Sequence, residues 1–182
     1  VVLLGHGSRR GSRTDMGLQD VTQRLRLRLG PDIAVGMAGW EFTQPSLAEA
    51  VESFVRQGAR RVLVMPYFLF DGKHVLEEIP EELNRLRALY PGLELTLART
   101  LGLDPRLVQV AAERVRQALA ADGPGLGLGV VVVNRGSRRA YDPGDRLRQL
   151  ACMVAEAVGQ GARAHHAQAE YEPPTIEEAA QA

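Results

Sequence analysis

Short apolar runs alternate along the chain with stretches whose apolar residues recur at helical spacing. Val1–Leu4 reads as a buried strand ending at Gly5, and Leu18, Val21, Leu25 and Leu29 then mark one face of a helix. Ile33–Trp40 predicts a second strand. Pro45 is expected to open a helix whose inner face is Leu47, Ala50, Val51, Phe54 and Val55, closed by Gly58. Arg61–Phe70 reads as the third strand, with Pro66 pointing to a bulge or an edge near its end. A helix from Lys73 to Leu89 follows, with Val75, Ile79, Leu83 and Leu86 on one face and Pro91-Gly92 as its stop. Leu93–Ala98 is a fourth strand and Pro105–Leu119 a further helix. This alternation predicts an α/β fold, a parallel sheet with helices packed on its faces.

Asp122–Gly129 (DGPGLGLG) reads as a linker, and after it the pattern begins again. At a constant offset of 129, Val1-Val2 falls on Val130-Val131, and Gly7-Ser8-Arg9-Arg10 on Gly136-Ser137-Arg138-Arg139. Leu18 falls on Leu147, Gly30 on Gly159, Glu41 on Glu170, Pro45 on Pro174, and Glu49-Ala50 on Glu178-Ala179. Two unrelated βαβα units would share periodicity, but not ungapped polar matches, so the chain contains an internal duplication. Two similar lobes are expected: residues 1–129, which carry the chemistry, and residues 130–182, which begin a second copy. That copy stops at Ala182, opposite Ser53, without a counterpart of the third strand. The residues are therefore expected to be part of a longer chain.

Composition narrows the function classes. Apolar residues make up 45% and charged residues 24%, an ordinary globular balance. Lys+Arg and Asp+Glu are 22 each, so no net positive field exists to grip a phosphate backbone, and no nucleic-acid partner is expected. No apolar run approaches the roughly 20 residues that span a bilayer, so no membrane partner is expected either. The single cysteine, Cys152, cannot form an intrachain disulfide, which favours a reducing, cytoplasmic setting.

The histidines are unevenly placed. His6 lies directly beyond the first strand and His74 beyond the third, while Glu41 ends the second. In an open α/β sheet, ligands bind at the carboxyl ends of strands near the point where strand order reverses. Three bases or metal ligands at three successive strand ends can therefore converge. Glu78, at i+4 from His74, shares its helix face and can orient the imidazole or hold an incoming cation. Arg9, Arg10, Arg13 and the only lysine, Lys73, form a local cationic rim suited to a polycarboxylate. His165 and His166 are adjacent in a strand, so they point to opposite faces and are given no role. The loop from Gly5 to Gly11 matches neither a phosphate-binding nor a nucleophile-elbow signature.

LLGHGSR, WEFTQPS, VMPYFLFDGKHVLEEIPEEL and the duplicated VVVNRGSRRAYDPGDRLRQLACMVAE together resemble the sirohydrochlorin chelatases of the class II tetrapyrrole chelatase group. The resemblance covers essentially the whole chain and is closest to the long, two-lobed cobaltochelatase form of cobalamin biosynthesis. It implies insertion of a divalent metal, Co2+ foremost or Fe2+, into sirohydrochlorin with no cofactor beyond the substrate metal; the borderline N/O donor set admits Ni2+ as well. It implies that His6 and His74 are the active-site histidines and Glu41 the family's acid; with Glu78, added from its i+4 position on the His74 helix, they make the expected metal set. Ser8, Arg9, Arg10, Lys73 and Arg135 are the expected substrate contacts. The sequence departs from the family in the arginine-rich stretch after Ser8. An imidazole, ordinarily titrating near ~6.5, can take a pyrrole proton or ligate a borderline metal at neutral pH. Arg135, opposite His6 in the duplication, can do neither but can pair with a carboxylate. The competing readings are a ferrochelatase acting on sirohydrochlorin and a non-catalytic carrier of divalent metal. Either a monomer of two lobes or a homo-oligomer is expected.

Overall fold

Val2–Gly5 (β1) is buried along its whole length, as a central parallel strand covered on both faces must be. It pairs in parallel with Gly36–Gly39 (β2) on one side and Arg61–Pro66 (β3) on the other, and Glu94–Leu97 (β4) pairs with β3. The sheet order is β2-β1-β3-β4. Arg13–Leu29 (α1), Leu47–Arg56 (α2) and Ile79–Leu89 (α3) accompany it, and a π-helical turn, His74–Glu78, leads into α3. Val2, Leu4, Val62 and Val64 of the sheet share one core with Leu47, Val51 and Phe54 of α2 and with Val75, Ile79, Leu83 and Leu86 of the π turn and α3. The computed structural model describes residues 1–7, 13–122, 128–136, 143–159, 161–170 and 173–181.

Several elements differ from their predicted extents for physical reasons. The ladder of β2 starts at Gly36, opposite Val2, and Ile33 is exposed. The inner face of α1 is Leu18 and Thr22, whose hydroxyl donates to the Leu18 carbonyl at 2.7 Å, and Leu29 lies outside it. Pro45 follows a cis peptide and stands outside α2; Ser46 is the N-cap. Pro66 ends β3, since proline has no N–H with which to continue the ladder. The helix predicted from Lys73 begins instead as the π turn, with the Ile79 N–H bonded to the His74 carbonyl.

The chain divides into two compact units, Val1–Leu101 and Gly102–Ala182. Pro105–Asp122 (α4) therefore groups with the second unit, where it packs on Pro143–Val158 (α5), and the Arg116 guanidinium donates to the Ala157 carbonyl. Gly129–Asn134 (β5) and Arg163–Gln168 (β6) form a parallel pair, followed by Ile176–Gln181 (α6).

The local geometry of the first unit recurs at the offset of 129. Val2 faces Gly36 across the ladder, and Val131 faces His165. Trp40 and Glu41 donate their N–H groups to the carbonyls of Gly5 and His6; Ala169 and Glu170 donate theirs to Asn134 and Arg135, all at 2.8 Å. A reciprocal cap joins Ser46 to Glu49, and the same pair of bonds joins Thr175 to Glu178. Gly7 and Gly136 both have positive φ, 87° and 91°. A Cβ on Gly7 would lie 1.6 Å from the Glu41 carbonyl oxygen, and one on Gly136 2.1 Å from that of Glu170. Only glycine permits this approach of two strand-end loops.

Candidate active site

In the order β2-β1-β3-β4 the crossover from β1 runs to β2 and that from β3 runs to β4, in opposite directions, so the loops beyond β1 and β3 part at their carboxyl ends. His6 follows β1 directly and is exposed, while His74 opens the π turn beyond β3 and is half-buried. Their rings meet edge to face, with centroids 5.0 Å apart and planes at 80°. Phe68, just past β3, lies 6.3 Å from the His6 ring. Trp40, just past β2, lies 6.1 Å from the His74 ring at 55°.

Glu41 is tied to His6 through the main chain, its N–H bonded to the His6 carbonyl. The Gly7 contact described above presses the two loops together at this point. The end of β2 is thereby locked to the end of β1, which fixes where His6 leaves the sheet.

The carboxylate of Glu78 is the electrostatic centre of the π turn. One oxygen, Oε1, takes the Lys73 ammonium. The other, Oε2, lies 2.5 Å from His74 Nδ1 and accepts from Trp40 Nε1 at 3.2 Å. The Lys73 ammonium foremost, then the His74 ring, and least of all the Trp40 N–H, hold the Glu78 carboxyl down to about 2, against a smaller upward push from burial. Glu78 is therefore ionised at neutral pH, and both its oxygens are occupied by groups of this chain. Among the described residues, no group of three or more His, Cys, Asp or Glu side chains is arranged to hold a metal ion.

The structure thus brings His6 and His74 together, joins Glu78 to His74, and sets the main chain of Glu41 against His6. Lys73 is bound to Glu78. In the second unit Arg135 pairs with Glu170, Nε to Oε2, at 3.2 Å on the surface. Ser8, Arg9 and Arg10 lie outside the described residues, as does the side chain of Arg13. Trp40 and Phe68 are additions that the sequence reading did not assign. The signal for Trp40 was available: it is the only tryptophan, it stands beside Glu41 at a strand end, and a half-buried indole N–H needs an acceptor.

Residues 1–118 match the family model described as CbiX. The chain is 30% identical over 120 residues to the chloroplastic sirohydrochlorin ferrochelatase of Arabidopsis thaliana, covering 66% of this chain and 52% of that protein. It is 29% identical over 119 residues to the sirohydrochlorin cobaltochelatase of Sulfurisphaera tokodaii, covering 65% of this chain and 92% of the relative. It spans about half the length of the longer curated relatives, 52% of the Arabidopsis protein and 43% of the Priestia megaterium ferrochelatase. In fold it is similar to SirB from Bacillus subtilis solved with Fe3+, at a TM-score of 0.80 and 22% identity, covering 97% of this chain and 68% of that one.

Proposed function

The chain belongs to the CbiX family, and on that premise we propose that it inserts a divalent metal into sirohydrochlorin. The observation that carries the reading is the pair of imidazoles, 5.0 Å apart, at the switch point of a parallel sheet. Insertion replaces two pyrrole N–H protons by one divalent cation, so the site must accept two protons and hand over one metal. Two imidazoles match that count. His74, half-buried against Trp40, takes a proton from the ring, and exposed His6 passes protons on to water. The same nitrogens hold the metal briefly, and the Glu41 carboxylate, which the described geometry does not group with them, would swing in from its main-chain anchor on His6 to serve as the third donor. An N/O set of this kind suits Co2+, Fe2+ and Ni2+ alike.

Co2+ is the metal we assign, supported by relatives named as cobaltochelatases, and Fe2+ is its competitor, supported by those named as ferrochelatases. A polycarboxylate substrate needs cations. The Lys73 side chain, 41% exposed and already paired with Glu78, is the cation we assign to a substrate carboxylate.

Anaerobic incubation with sirohydrochlorin and each of Co2+, Fe2+ and Ni2+, followed by absorbance, tests the reading. A metal-dependent change in the tetrapyrrole spectrum, fastest with Co2+, is expected. Tight metal binding with no spectral change in sirohydrochlorin would overturn it in favour of a metal carrier.

A further inference from the structure

The imidazole of His74 is enclosed by the His6 ring at 80°, the Trp40 ring at 55°, and Glu78 Oε2 at 2.5 Å from Nδ1. A carboxylate is acceptor-only. The imidazole nitrogen that faces it must therefore carry the proton, and in the neutral ring the other nitrogen is then a bare lone pair. Which ring nitrogen is protonated is set by the hydrogen bond that the other atom makes. At His74 the answer is built into the π turn.

We infer that Glu78 is a positioning residue, held by Lys73 and Trp40, that locks His74 in the Nδ1–H form so that Nε2 alone faces the reaction. The role deepens the chelatase reading, since an unprotonated Nε2 is what a pyrrole proton or a divalent metal requires. Three features support it. Both Glu78 oxygens already have donors, Lys73 on Oε1 and His74 with Trp40 on Oε2, so ligating a metal would break bonds the fold has made. The donors come from separate parts of the chain, since Lys73 precedes the π turn and Trp40 lies just past β2, so the carboxylate is fixed from two sides. The π winding, with the Ile79 N–H on the His74 carbonyl, sets His74 and Glu78 on one turn at bonding distance. Such turns occur mostly as single turns joined to α-helices, frequently at functional sites. The outcome differs from the sequence expectation that Glu78 belongs to the metal set.

The test reads the tautomer directly. In the full chain with 15N-labelled histidine, two-bond proton–nitrogen correlations distinguish protonated from bare ring nitrogens. Wild-type His74 is expected to show Nδ1 protonated and Nε2 bare. Glu78→Ala should average the two nitrogens, and Glu78→Gln, which offers both an acceptor and a donor, should fall between. Trp40→Phe, which keeps an aromatic ring and loses the N–H, should shift the His74 signals less than Glu78→Ala. In metal insertion, Glu78→Ala should lower kcat roughly 10- to 100-fold with the KM for sirohydrochlorin within about twofold. His74 signals that show Nε2–H in the wild type, or that do not change in a folded Glu78→Ala protein, would overturn the inference. A locked tautomer in a wild-type protein that inserts no metal supports the positioning role and removes the chelatase reading, so the two fail separately.

Discussion

Two histidines with the same side chain meet different surroundings, and their variants should separate accordingly. His6 is exposed at the end of β1, so His6→Ala should change stability by no more than about 0.5 kcal/mol. Losing one proton acceptor should nevertheless lower the rate of metal insertion by roughly 10²- to 10⁴-fold. Denaturant melts and initial rates on the same preparation check both halves; a His6→Ala protein that turns over normally contradicts the assignment. The convergence of His6 and His74 was legible in the sequence, because strand ends in a parallel sheet lie together whatever the side chains are. The contacts that govern His74 were only half legible. The i+4 spacing pointed to Glu78, but not to Trp40, which is 38 positions away and reaches the same oxygen through tertiary folding. Nor does spacing say that Lys73 and Trp40 occupy a carboxylate that looks, in one dimension, like a metal ligand.

At the level of elements, α2 is fixed by its start. Ser46 and Glu49 form a reciprocal cap, the Ser46 N–H and hydroxyl both reaching the Glu49 carboxylate and the Glu49 N–H reaching the hydroxyl. The sequence carried that signal as Ser-x-x-Glu, and reading Pro45 as the first helical residue passed over it. Ser46→Ala should cost about 1 kcal/mol. The Ser46 N–H first, and then its hydroxyl, hold the Glu49 carboxyl below the ordinary carboxylate range. A depressed folded-state value stabilises the folded chain above the ordinary glutamate range, and the contribution is lost as pH falls through the lower folded value. The melting-temperature gap between wild type and Glu49→Gln should therefore shrink from about pH 6 to about pH 3; a gap that widens instead would refute the cap's role. The π turn was not legible, because its apolar positions, Val75, Ile79, Leu83 and Leu86, suit an unbroken α-helix equally well. Ile79, fully buried where the two windings join, should cost about 2–5 kcal/mol on substitution by alanine.

Over the whole molecule, the offset of 129 links residues that share backbone geometry while differing in chemistry. The ladder registers, the main-chain bonds beyond the strands and the reciprocal caps recur, yet His6 corresponds to Arg135, which forms an ion pair with Glu170 instead of meeting a second imidazole. The repeat was readable because identical residues sit at positions that local geometry constrains, such as Gly7 and Gly136. The division of the units after Leu101 was not, since periodicity gives α4 an apolar face without saying which core receives it; Val108 and Ala112 are buried in the second unit, where α4 packs on α5. Shared scaffold and unshared chemistry give opposite expectations for two equivalent substitutions. Gly7→Ala and Gly136→Ala each force a side chain into positive φ and against a carbonyl oxygen, at 1.6 Å and 2.1 Å, so each should cost about 1–3 kcal/mol within its own unit. Hydrogen exchange should register the loss in β1 and β2 for the first and in β5 and β6 for the second. Turnover should diverge: Gly7→Ala displaces His6 and should lower kcat at least tenfold, since misplacement by about 1 Å can cost 10²-fold. Gly136→Ala displaces Arg135, which neither accepts a proton nor ligates a metal, and should retain kcat at saturating sirohydrochlorin. Equal losses of kcat in the two variants would mean that the second copy shares in the chemistry, and the assignment of proton transfer to the first copy alone would fall.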